Sequence, residues 1–358
     1  MIKNKIYDLS FSNQLVSWYQ KEKRNLPFRK TKDPYRVWLS EIILQQTQMK
    51  TGLKYYNVFI KYFPKIEILA SASEEKIYSL WKGLGYYNRA KNLLKTAKLI
   101  VEKYNSRFPK TSKELILLPG VGKYTASAIA SICYNEKTPV VDANVYRVLS
   151  RYFRIKNDIS KSDAYCFFFN KSKTISNNVK NMGDYNQAIM DFGSKICAPK
   201  KPQCTICFLK KHCLAYKKKD VLNFPIKKRI NKKKKRIFNY CIIEMNDFYL
   251  IQKRIKKDIW MNLLEFYMIE NENVKKAQVS LKNKFKKFKL SPKIKSKNHK
   301  GVLSHQIITA NFFSIKITEK ATFKAIKKEY KLQKIKKIDL IKSATPKVID
   351  NYLKSDTE

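Results

Sequence analysis

Glycine is scarce in this chain, with 8 among 358 residues, about 2% against a usual ~7%. Where glycines cluster in such a sequence, the backbone needs them. Four of the eight sit in two short segments, Gly83-Leu84-Gly85 and Gly120-Val121-Gly122. Acidic residues are also few: 28 Asp and Glu face 76 Lys and Arg, a formal net charge of +48. That excess fits a polyanionic partner, though wealth in Lys, Ile, Asn and Tyr also marks an AT-rich genome. Long apolar runs are missing. None approaches ~18 residues, which excludes a helical membrane span. The start, Met1-Ile2-Lys3-Asn4-Lys5, lacks an apolar signal core, so a cytoplasmic place is expected and secretion is not. The hydrophobic share is 44%, a globular value that argues against a disordered basic tail. The length suits two or three domains.

Residues 1 to about 216 read as helical. Ser12 can cap a helix carrying Leu15, Trp18 and Tyr19. Asp33-Pro34 opens another helix, running to about Gln48, with Asp as cap and Pro at the first position. Helical patterns follow over 51–62, 74–81, 87–104, 112–118, 122–133, 143–154, 161–170 and 184–193, and Thr111-Ser112-Lys113-Glu114 is a capping-box pattern. Residues 217–236, with two lysine runs around Pro225, have linker composition. Beyond them the period changes. Phe238–Glu244 and Phe248–Ile251, with Met245-Asn246-Asp247 between, predict a hairpin, and Phe312–Ile317 predicts a further strand. The chain is therefore expected to be mainly α, with a small C-terminal α+β domain over 237–350 and a tail at 351–358.

Seven cysteines is an odd count, and four of them fall within seventeen residues as Cys197-x6-Cys204-x2-Cys207-x5-Cys213. The pattern points to metal ligation in a reducing compartment rather than to disulfides. Zinc and a four-iron, four-sulfur cluster both accept four thiolates. His212 reads as surface, and Cys133, Cys166 and Cys241 read as core. Leu118-Pro119-Gly120-Val121-Gly122-Lys123 suits a helix-hairpin-helix. Its outward N–H groups, at Gly120, Gly122 and Lys123, would take a phosphate without sequence readout. Two carboxylates complete the picture. Glu41 shares a helix face with Val37, Trp38 and Leu44, so burial should raise its pKa as a general acid needs. Asp142 precedes a helix, where an aspartate is expected to stay ionised. Acid and charged partner divide the work in this way in glycosidic cleavage.

Together these segments, with Trp38-Leu39-Ser40-Glu41, Leu44-Gln45-Gln46-Thr47-Gln48 and Gly83-Leu84-Gly85-Tyr86-Tyr87, resemble the MutY family of adenine DNA glycosylases, in the helix-hairpin-helix, iron–sulfur superfamily. The likeness is dense over about 10–216 and fainter over 237–350, where the family carries a Nudix-like domain. It implies a two-lobed body. One is a six-helix lobe over about 30–140. The other is an iron–sulfur lobe formed by 1–29 and 141–216, holding one 4Fe-4S cluster on the four cysteines. It implies a monomer acting on adenine opposite 8-oxoguanine or guanine in double-stranded DNA. The adenine is flipped out of the stack. By resemblance, Glu41 is the general acid and Asp142 stabilises the oxocarbenium sugar, supported by Asn144. Arg24 and Arg29 line the adenine pocket. Gln46, Thr47, Leu84 and Tyr86 meet the duplex, and Ser304 and His305 read the oxidised guanine. Tyr124 stands where the related endonuclease III carries a nucleophilic lysine. A phenol forms no Schiff base, so a monofunctional enzyme leaving an abasic site is expected. The chain departs from the family at Phe28 (usually Trp), Ala143 (usually Gly) and Leu303 (usually Phe).

Overall fold

The computed structural model describes residues 2–228, 233–270, 272–303 and 305–355. Along the chain run α1 (Ile2–Glu22), α2 (Pro34–Leu44), α3 (Met49–Tyr62), α4 (Ile66–Ala70), α5 (Glu74–Trp81), α6 (Asn88–Tyr104), α7 (Ser112–Leu115) and α8 (Lys123–Tyr134). Next come α9 (Ala143–Tyr152), α10 (Ala164–Ile175), α11 (Met182–Lys195) and α12 (Leu214–Lys217). Then the chain turns to strands: β1 (Lys234–Met245), β2 (Phe248–Lys253), β3 (Leu264–Glu265) and β4 (Tyr267–Glu270). The remainder is α13 (Val274–Phe285), β5 (Lys293–Val302), β6 (Gln306–Lys316), α14 (Lys320–Glu329), β7 (Gln333–Lys336), α15 (Lys337–Lys342) and α16 (Lys347–Ser355).

Two compact units form. One contains residues 1–72 and 91–229, the other 73–90 and 230–358. The helical stretch expected over about 30–140 is thus interrupted, because the α5 segment groups with the C-terminal residues.

In the first unit, Phe11, Leu15 and Tyr19 repeat every four residues and form one buried stripe of α1. They meet Val145, Val148 and Leu149 of α9 and Tyr185, Ile189 and Phe192 of α11 in one core. That stripe draws Ser12 into the helix interior, where it is buried, so it is not the expected cap. The Asp33 cap holds: its carboxylate accepts from Tyr35 N–H at 3.0 Å. The Thr111–Glu114 capping box is formed in both directions. α2 stops at Leu44 instead of Gln48, and Gln46 takes a left-handed conformation (φ 53°).

In the second unit a mixed sheet has the order β3-β2-β1-β6-β5, with β4 against β1 and β7 against β2. β1 and β6 run parallel, and the other pairs are antiparallel. β1 is apolar on both faces because both are covered. Phe238, Tyr240 and Ile242 face a core with α15 and α16. Cys241, Ile243 and Met245 face a second core with α13 and α14. The strand starts inside the basic run read as linker. Arg236 is buried there, bonded to Asp258 and Glu270. Strand β5 lies in the lysine-rich stretch and was not foreseen. Among the other sequence readings, Cys241 is buried, but Cys133 and His212 are half-buried and Cys166 is exposed.

Candidate active site

The Asp33 cap and Pro34 fix how α2 begins, and so how it is turned. Val37 and Trp38 point inward and are buried, and Glu41 follows one turn later on that side. Protein atoms crowd its carboxyl, although the residue keeps part of its accessible surface. Burial pushes Glu41 from its ordinary 4.5 up to about 7, against a hydrogen bond with Tyr124 and the Arg29 charge, while the Asp142 charge adds to the rise. Four side chains from four parts of the chain therefore meet. Tyr124 comes from the first turn of α8. Its hydroxyl also lies 3.0 Å from the Met190 sulfur, and burial with two nearby carboxylates drives its pKa well up, so it stays a neutral phenol.

Asp142 is the N-cap of α9. One carboxylate oxygen accepts from Asn144 N–H (2.9 Å) and Val145 N–H (2.8 Å). The other accepts from the Asn144 amide at 2.7 Å. Asn144 in turn accepts from Arg147 at 2.8 Å, and Arg147 donates to the Cys197 carbonyl at 2.8 Å. Ala143 does not adopt positive φ, so its departure from glycine is tolerated. Burial raises the Asp142 pKa, opposed by these hydrogen bonds. Desolvation outweighs the hydrogen bonds at the helix terminus.

Arg24 and Arg29 converge on Asp191 of α11, which sequence reasoning missed. Arg29 bonds both of its oxygens, one at 2.9 Å, and Arg24 lies 3.6 Å from one of them. The signal was present: a lone acid inside the apolar run Ala188–Phe192 needs a cation when buried. Phe28, where the family has Trp, is buried edge-on against Tyr56 at 5.1 Å.

The hairpin behaves as its motif suggested in part. Gly120 has φ 78°. Gly122 is an ordinary extended N-cap (φ −91°) with open space where a Cβ would stand. Lys123 is exposed, its ammonium 4.8 Å from the Tyr165 ring. Gln46 is exposed, while Thr47 is half-buried and bonded to the Gln45 carbonyl at 3.2 Å. In the second unit Tyr86 is exposed and Leu84 is buried. Ser304 lies outside the described residues. His305 is exposed, and Leu303 N–H donates to the Gln306 carbonyl at 2.8 Å. Leu303 packs on the sheet core.

Cys197, Cys204, Cys207 and Cys213 line one cavity with Arg151, Tyr152 and Phe192. Arg151 is buried. It donates to the carbonyls of Ala198 (2.8 Å), Pro199 (2.9 Å) and Phe224 (3.1 Å), and approaches the Cys197 sulfur at 3.4 Å. Among the described residues no three His, Cys, Asp or Glu side chains are gathered for a single ion. The four thiols share the wall of one cavity, a donor set that fits a thiolate-held group.

Residues 39–167 match the HhH-GPD superfamily of base excision DNA repair proteins. Solved structures agree on the fold. A thermostable thymine-DNA glycosylase aligns at TM-score 0.56 and 30% identity, over 61% of this chain and all of that one. Endonuclease III in a non-covalent DNA complex aligns at TM-score 0.50 and 21% identity, over 59% of this chain and 95% of that one. The class is thus a helix-hairpin-helix base-excision glycosylase carrying a C-terminal mixed-sheet region. Among curated relatives, the adenine DNA glycosylase of Buchnera aphidicola subsp. Schizaphis graminum is 38% identical over 81% of this chain and 83% of its own length. The human adenine DNA glycosylase is 40% identical over 58% of this chain and 39% of its own length. The chain belongs to the adenine DNA glycosylase family. It is a base-excision repair enzyme of DNA, a hydrolase of N-glycosyl bonds. No helix among the described residues is long and apolar enough to cross a membrane.

Proposed function

We propose that this enzyme removes adenine opposite 8-oxoguanine or guanine in duplex DNA, as a monofunctional glycosylase leaving an abasic site. The observation that carries the reading is Glu41, raised to about 7 and hydrogen-bonded by Tyr124 beside Asp142. A carboxyl at that pKa is half protonated at neutrality and can donate to the purine as the glycosidic bond breaks. Asp142, held by Asn144 and two backbone N–H groups, faces the oxocarbenium with negative charge. Arg24 and Arg29 shape the adenine pocket from the Asp191 anchor. Tyr124 offers a phenol where strand cleavage needs an amine, and Lys123 is directed at the Tyr165 ring.

The reading extends to the rest of the molecule. Gly120, Gly122 and Lys123 take a DNA phosphate. Gln46, Thr47, Leu84 and Tyr86 meet the duplex at the mispair. The sheet region is a Nudix-like reader that uses Ser304 and His305. The four cysteines would hold a 4Fe-4S cluster, which supplies a cross-link that fixes residues 197–213. The protein acts as a monomer on the chromosome in the cytoplasm. The test is single-turnover excision from a mispaired duplex, with equilibrium binding measured alongside. Glu41→Gln and Asp142→Asn should each lose about 100-fold or more in rate while still binding. Retained rate in Glu41→Gln would overturn the assignment.

A further inference from the structure

The hairpin after α5 is held rigid by its own residues. Gly83, Gly85 and Tyr86 all take positive φ (89°, 76° and 49°). The Trp81 indole donates to the Gly85 carbonyl at 3.0 Å. The Arg89 guanidinium donates to the same carbonyl at 3.1 Å and to that of Leu84 at 3.3 Å. It also lies 5.1 Å from the Trp81 ring and 5.7 Å from the Tyr86 ring. Residues 81–89 therefore move together, and whatever holds residue 82 sets where Tyr86 stands.

Lys82 is held by the C-terminal helices. Its ammonium lies 3.0 Å from the Asp350 carboxylate of α16 and donates to the Ile341 carbonyl of α15. The Thr345 hydroxyl donates to the same Asp350 oxygen at 3.1 Å. The two charged side chains are 21% and 12% exposed, so water screens them little. One turn earlier in α5, Asn262 donates to the Tyr78 hydroxyl at 3.4 Å. The Lys253–Glu74 pair nearby (3.7 Å) is exposed and contributes little.

We infer that Lys82 is a positioning residue: with Asp350 and the Ile341 carbonyl it clamps the Tyr86 hairpin to the sheet region, so that recognition of the base opposite adenine and entry of Tyr86 into the duplex are coupled. The inference rests on the reading of Tyr86 as a duplex-wedging residue. A clamp at the base of a rigid hairpin acts as a lever. Loosening it leaves the hairpin's shape intact but not its placement. Lys82 touches no reacting atom, so its effect is on discrimination rather than on the chemistry of Glu41.

The experiment uses the full chain and two readouts. The first is the ratio of single-turnover excision rates, adenine·8-oxoguanine over adenine·guanine. The second is fluorescence of 2-aminopurine placed beside the 8-oxoguanine, which rises when the base unstacks. Lys82→Met and Asp350→Asn should each lower the rate ratio on the order of fivefold and reduce the fluorescence rise. The double variant should do no more than either single one. Lys82→Arg, which keeps charge and donor, should restore both readouts. Unchanged ratios, or effects that add, would overturn the clamp. Tyr86→Ala separates the two claims. If it abolishes the fluorescence rise while Lys82→Met does not, only the clamp fails. If Tyr86→Ala leaves the rise intact, the wedge reading fails and the clamp with it.

Discussion

Replacing Glu41 by glutamine should make the protein more stable, and more so at high pH. The isostere keeps an acceptor for Tyr124 but cannot ionise. In the folded state Glu41 titrates at about 7 instead of 4.5. A raised carboxyl pKa means that the folded state resists ionisation. Its cost is absent below the unfolded value, grows between the two values and is complete above the folded one. The 2.5 units correspond to about 3 kcal/mol at pH 8.5. At pH 5.5 the cost is about 1 kcal/mol, because only the unfolded chain is then ionised. Glu41→Gln should therefore gain about 2 kcal/mol more at pH 8.5 than at pH 5.5. Urea unfolding followed by helical circular dichroism, on both proteins at both pH values, reads this difference. An equal effect at the two pH values would mean that Glu41 titrates as a solvated carboxyl, and the argument for an environmental acid would collapse.

Three further outcomes follow from the geometry. The single-turnover rate should fall toward tenfold per pH unit above pH 7, since Glu41 acts protonated; a flat profile to pH 9 would count against that role. Gly120→Ala strains a residue at φ 78° and drives its Cβ to 2.8 Å from that of Asn92. It should cost about 1–2 kcal/mol and weaken DNA binding, as a melt and a binding titration would show. Arg151→Met leaves the carbonyls of Ala198, Pro199 and Phe224 without their donor. It should cost about 3 kcal/mol or more and diminish the visible absorption expected of the cysteine-bound cluster; an unchanged melt and spectrum would remove Arg151 from the cysteine loop's support.

Much of the helical unit was legible because its signals are local. The Asp33-Pro34 cap, the Thr111–Glu114 box and the Asp142 cap each specify a helix start within a few residues. The four cysteines are legible by spacing alone. What was missed depends on partners distant in sequence. Asp191 is 162 residues from Arg29, and nothing near it announces the pairing. The burial that raises the Asp142 pKa was not legible, because cap position is local while burial is not. Strand β5 alternates exposed lysines with half-buried positions and bulges between Ile294 and His299, so its period is broken. The α5 segment is tied to the C-terminal residues by side-chain bonds of Glu74, Tyr78 and Lys82 to partners far along the chain, which no periodicity foretells.

The most direct test of the whole account is strand analysis after single-turnover reaction with a duplex carrying one adenine opposite 8-oxoguanine. Free adenine should appear, and the strand should break only after hot alkali. A break without alkali would show that an amine attacks the sugar and that Tyr124 does not define the reaction. No adenine release by a protein that binds the duplex would contradict the roles assigned to Glu41 and Asp142.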